Sequence, residues 1–111
     1  MNKARSVHNE HTRLISLKPK LIGLDNIVLS TNEANLRNNR DVIVRQPDGL
    51  MFDPSTHTLY NIEYKCNNTK SNYLHAQVRL ITSSKRLKTL FPDWHITNLY
   101  VHNDYKVNVV R

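Results

Sequence analysis

Apolar residues recur along this chain with two different periods, and the switches between them divide it into elements. Over residues 6–18, Val7, Leu14, Ile15 and Leu17 stand mostly three or four apart with His, Asn, Arg and Lys between them, which is helical spacing. Pro19 ends that helix. Residues 21–29 are apolar but broken by Gly23, which reads as a turn followed by a short strand near 27–30. Residues 31–39 are polar, and Ser30 and Glu33 have capping-box spacing, so one helical turn is expected there with Glu33 as a cap. Residues 41–46 alternate towards strand. Pro47-Asp48-Gly49 turns the chain, residues 50–53 continue extended, and Asp53-Pro54-Ser55-Thr56 closes a hairpin. Residues 58–66 are the clearest strand. A second helix is expected over 72–90, with Tyr73, Ala76, Leu80, Leu87 and Phe91 on one stripe and Pro92 after its end. Two further strands, 95–101 and 105–110, flank an Asn103-Asp104 turn. Helix, strands, helix, two strands describes a mixed α/β fold with one sheet, and 111 residues suit a single domain over 1–111.

Charge sharpens this picture. Sixteen Lys and Arg against nine acidic residues give a formal charge of +7, an excess that favours an anionic partner, nucleic acid first. Its plainer reading is solubility. One cysteine, Cys66, permits no internal disulfide and reads as packing. No apolar run reaches the ~18 residues of a membrane span, and the first residues lack an apolar signal core. An intracellular place, in cytoplasm or nucleoid, is therefore expected, and a phage- or virus-encoded chain is compatible with it.

The chemistry gathers in the strand 58–66. Its side chains alternate, so Asn61, Glu63 and Lys65 share one face while Tyr60, Ile62, Tyr64 and Cys66 share the other. Glu63 is one of only three glutamates. If the hairpin pairs its two arms, Asp48 returns alongside Glu63. Two carboxylates with open coordination positions suit Mg²⁺, which keeps several waters and binds substrate phosphate oxygens. Such an ion acidifies water and neutralises charge on a phosphoryl group, and a nearby lysine can orient that water. Phosphodiester hydrolysis is the implied reaction.

Pro47-Asp48 followed by Glu63-Tyr64-Lys65 resembles the PD-(D/E)XK nuclease superfamily. That resemblance covers most of the chain and implies a restriction-endonuclease-like core of order αβββαβ, a mixed sheet flanked by helices. It implies Asp48 and Glu63 as metal ligands, the Tyr64 carbonyl as a further ligand and Lys65 as the catalytic lysine. Glu10, the acidic residue of the first helix, corresponds to the extra glutamate many members place there. Gln77 corresponds to a glutamine some branches carry on the later helix. A Mg²⁺-dependent DNA endonuclease is implied, with Mn²⁺ able to substitute, no small-molecule cofactor, and a homodimer because a duplex cut takes two sites. The edge strand 105–110 is where two subunits would pair. Structure-selective cleavage fits better than sequence-specific cleavage, since no dedicated recognition segment fits in the remaining length.

Other residues read less sharply. Asp41 also precedes a strand and rivals Asp48, but only Asp48 leads directly into the hairpin. Asp53 reads as a turn residue. His8 and His11 share a helix face, yet no Cys pair or zinc-type histidine motif accompanies them. His57 belongs to the hairpin tip and Trp94 to the core. Lys70, Arg79, Lys85, Arg86 and Lys88 are candidate phosphate contacts, which position a duplex without reading it. The rival readings are a non-catalytic nucleic-acid-binding module of nuclease-like fold and a structural protein of a phage or virus particle; the second gives no reason for the carboxylate–lysine pair.

Overall fold

Helix α1 runs over Lys3–Leu17 and stops before Pro19, where the chain tightens into a 3₁₀ turn over Pro19–Ile22. Gly23, at φ 80°, closes that turn in a left-handed conformation that suits a residue without Cβ. The computed structural model describes residues 3–32 and 34–110. The stripe that α1 buries is not the one its aliphatic residues suggest. Thr12 and Ile15 are buried and His8 and His11 half-buried, whereas Val7 and Leu17 are exposed.

Among the described residues seven strands follow. They are β1 (Leu29–Asn32), β2 (Leu36–Arg37), β3 (Ile43–Arg45), β4 (Gly49–Asp53), β5 (Thr58–Lys65), β6 (His95–His102) and β7 (Lys106–Val110). Helix α2 (Lys70–Leu90) joins β5 to β6. The helical turn expected over 31–39 is absent from the described residues. Ser30 and Thr31 instead pair with Met51 and Leu50 of β4, and Leu36 pairs with Arg45 in a small β2–β3 ribbon. Glu33, the expected cap, lies outside the described residues.

Five strands form one mixed sheet in the order β1-β4-β5-β6-β7. The β4–β5 hairpin is antiparallel, with Gly49 opposite Ile62 and Asp53 opposite Thr58. At its tip the Asp53 carboxylate accepts hydrogen bonds from the Ser55 amide at 2.9 Å and the Ser55 hydroxyl at 2.6 Å. That arrangement makes Asp53 the turn residue the sequence suggests. Strand β6 runs parallel to β5, which requires the long return through α2.

Strand β5 is central and covered on both faces, as parallel pairing demands. On one side Ile62 and Tyr64 join Ile15, Ile22, Met51, Leu99 and Val101 in a core beneath α1, with Cys66 packed against it. On the other, α2 lays Ala76, Leu80 and Leu87 over Leu59, Leu50 and Tyr100. Asn61 is completely buried on this second face, where its amide donates to the Leu80 carbonyl, Ser83 Oγ and Asn98 Oδ1. Trp94 packs edge-on against Phe52 and stacks on His57 at 4.3 Å between ring centroids, so the hairpin tip is anchored to the start of β6. Among the described residues no helix is long and apolar enough to cross a membrane.

Candidate active site

The β4–β5 register places Asp48, one residue before β4, opposite Glu63. The Asp48 amide donates to the Ile62 carbonyl at 3.0 Å, extending the ladder. Beyond it the side chain takes over, and the Tyr64 amide donates to Asp48 Oδ2 at 2.7 Å. Along a strand, a residue's N–H and C=O point to the same side. The Tyr64 carbonyl therefore faces the Asp48 side, past the end of the β4 ladder. Two carboxylates and a backbone carbonyl thus come together where the two strands part.

Both acids are buried, Asp48 at 8% exposure and Glu63 at 5%. They are gripped from opposite faces of the sheet. From α1, His8 Nε2 lies 3.4 Å from Asp48 Oδ2. From α2, Arg79 Nε lies 2.8 Å from Glu63 Oε1. Burial raises the proton affinity of Glu63, the charge of Asp48 raises it further, and Arg79 and Lys65 oppose; the balance pushes its pKa up to about 7. The His8 imidazole is also raised, chiefly by hydrogen bonding to Asp48, against the opposing effect of burial.

Lys65 leaves β5 on the Glu63 face and is half-buried. Its ammonium donates to His75 Nδ1 of α2 at 3.1 Å. Beside Glu63 the surface opens into a cleft of about 410 Å³ between α2 and the segment leading from β3 to β4, lined by Arg45, Gln46, Pro47, Arg79 and Thr82 among others. Arg79 also donates to the Gln46 carbonyl at 3.2 Å and so bridges the cleft walls.

The remaining candidates separate. Glu10 is not brought to the site. It is exposed on the outer side of α1 and pairs with Arg13 at 2.9 Å. Residues 8 and 10 lie about 200° apart on a helix, so when His8 faces Asp48, Glu10 faces solvent. Gln77 is half-buried on α2, and Arg79 is the α2 side chain that reaches Glu63. Arg86 donates to the Arg37 carbonyl at 2.8 Å, tying the β2–β3 ribbon to α2. Lys70, Lys85 and Lys88 are exposed on α2. Asp41, the rival to Asp48, is exposed in the β2–β3 connection and pairs with Arg37 at 3.7 Å.

Sequence reasoning missed the part played by two histidines. Their three-residue spacing put them on one face of α1, but the partners, Asp48 and Tyr64, are forty residues and more away. His11 Nδ1 meets the Tyr64 hydroxyl, and the His8 ring packs edge-on against the Tyr64 ring at 5.6 Å. Among the described residues no three His, Cys, Asp or Glu side chains converge to hold a metal ion unaided. The donor set here, two carboxylates and a carbonyl, fits a hard cation that keeps its waters and takes further oxygens from a substrate. The chain matches no protein-family model, no curated protein and no solved structure.

Proposed function

We propose that this chain is a metal-dependent DNA endonuclease with a restriction-endonuclease-like core, selective for nucleic-acid structure more than sequence. One observation carries the reading. Glu63 is buried on β5 opposite Asp48, and burial first, then the neighbouring Asp48 charge, raises it well above an ordinary carboxylate. A cation held by both would offset that repulsion, and Lys65 follows Glu63 two residues later on the same face. The order α1, β1, β4, β5, α2, β6 agrees with the αβββαβ core, with the β2–β3 ribbon as an insertion.

Asp48, Glu63 and the Tyr64 carbonyl would hold Mg²⁺, with Mn²⁺ able to substitute. Such an ion supplies charge neutralisation at the scissile phosphate and acidifies water. The chain's own residues do the rest. Lys65 offers an ammonium steadied by His75, with its other protons free to orient the attacking water or meet developing phosphoryl charge. Arg79 is 43% exposed on its side chain, so its guanidinium can reach a phosphate oxygen from the cleft, provided a cation takes its place at the buried Glu63. The cleft beside Glu63 admits a backbone, and the +7 charge attracts it.

The test is cleavage of labelled branched, single-stranded and duplex DNA, and of RNA, with Mg²⁺, Mn²⁺ or chelator. Metal-dependent cutting is expected, reduced ~10²–10³-fold or more by Glu63→Gln or Lys65→Ala with binding retained. Cleavage that survives both substitutions would remove these residues from the chemistry. A second reading, a non-catalytic nucleic-acid-binding module, has its own support: the Arg79–Glu63 ion pair already neutralises the site. Binding without cleavage under every metal condition selects that reading.

A further inference from the structure

We propose that the substrate is an unpaired DNA strand, laid in the cleft along α2 with its phosphates towards Arg79 and Arg45 and its bases on an aliphatic stripe of that helix. The inference rests on the nuclease reading above and names the substrate class of that same site.

Helix α2 has three faces. One is buried and carries Ala76, Leu80 and Leu87. A second borders the cleft. His75, Arg79, Thr82 and Arg86 recur on it at three- and four-residue steps, so they form one polar row. The row starts at Lys65, whose ammonium donates to His75 at 3.1 Å. It passes Glu63, which Arg79 holds at 2.8 Å, and ends where Arg86 donates to the Arg37 carbonyl of the β2–β3 ribbon. That length of helix spans ~16 Å. The third face lies beside this row. Leu74, Val78 and Ile81 share it at the same spacing, exposed by 49%, 60% and 38%. Val78 also lines the cleft itself.

Size and surface chemistry both suit one strand. The cleft of about 410 Å³ falls within the ~300–1,000 Å³ of sites that enclose small molecules. It has room for one backbone and its bases, not for two paired strands. Arg79 donates to the Gln46 carbonyl at 3.2 Å and so ties the two walls together. A duplex keeps its base faces stacked and offers α2 only phosphates, sugars and groove edges. Leu74, Val78 and Ile81 gain nothing from those. An unpaired strand brings uncovered base faces, and single strands are held where a positive groove runs beside side chains that cover those faces. Charge favours nucleic acid over an apolar protein segment, because α2 carries Lys70, Arg79, Lys85, Arg86 and Lys88 and no acidic residue. At a branch or flap the unpaired arm supplies such a strand, and in a dimer each subunit takes one.

The test uses the full chain in chelator, where no metal is present for cutting, and fluorescence anisotropy of labelled DNA. One oligonucleotide is measured alone and annealed to its complement. The unpaired form should bind ~10-fold or more tightly, and this wild-type comparison needs no variant to fold. Val78→Ser should weaken the unpaired form ~5-fold or more, the lower end of what covering one base is worth, and leave the duplex unchanged. Val28→Ser, which removes a side chain 73% exposed outside α2, should change neither. Arg45→Gln should reduce the salt slope by ~1. Equal affinity for the two forms, or full affinity in Val78→Ser, overturns the inference, and metal-dependent duplex cutting would then leave the nuclease reading in place. A Val78-dependent preference for the unpaired form without cleavage in any metal supports the groove and removes the nuclease reading. If neither form binds, both fall.

Discussion

Glu63 and His8 together shape how this protein responds to pH. Glu63 ordinarily titrates near 4.5 and here near 7. Between those values the folded chain holds a proton that the unfolded chain has released, so its stability falls as pH rises through that window. His8, also raised, contributes stability below its ordinary 6.5 that is lost as pH climbs through its folded value. Both act in one direction. The metal-free protein should resist denaturant better at pH 5.5 than at pH 8, and Glu63→Gln should flatten that difference while raising the midpoint at pH 8. Urea titrations of both forms at the two pH values check this; a steeper profile in the variant contradicts it. At this scale the sequence was legible where chemistry and spacing sit in one strand, as in Glu63-Tyr64-Lys65. It was not legible where a partner comes from another element. Arg79 reads as one more surface cation until the fold brings it to Glu63. Glu10 reads as the useful acid of α1 until Thr12 and Ile15 fix which side of the helix is buried.

The elements owe their places to burial on both sides of β5. Asn61 is the polar centre of that arrangement, since three acceptors from α2 and β6 converge on its amide. Asn61→Ala removes this shared donor from a buried layer and should cost ~1–3 kcal/mol. Leu80→Ala, which hollows out the same layer, should cost ~2–5 kcal/mol. Denaturant unfolding measures both, and a neutral Asn61→Ala would show that the buried acceptors find other donors. The element pattern itself was mostly legible, because the long helices and the β4–β5 hairpin carry strong periodicity and turn signals. Residues 31–39 were not. The Ser30–Glu33 spacing is a local signal of about a kilocalorie per mole, and it loses to the non-local pairing of β1 with β4 and to burial of Leu36 against Leu87. A polar run with few apolar residues gives no warning that a sheet edge waits for it.

At the scale of the molecule, one site and an open sheet edge bear on assembly. Cutting both strands of a duplex takes two sites, so a homodimer remains part of the proposal. Strand β7 forms one edge of the sheet, and its Val109 is 52% exposed. Sedimentation with and without duplex DNA should show a species of twice the 13.0 kDa chain mass, and Val109→Lys should shift it towards monomer. A monomer under every condition removes the dimer and leaves the site untouched. The β4–β5 hairpin has a further consequence, for the order in which the molecule comes together. Asp48 and Glu63 meet across a short connection whose closure is entropically cheap, whereas β6 cannot join β5 until the 21 residues of α2 have been laid down and brought back. The two acids are thus expected to become neighbours before β6 is in place. On the metal-dependent reading proposed above, a divalent ion present during refolding would meet both carboxylates on this locally closed hairpin, before the long return through α2.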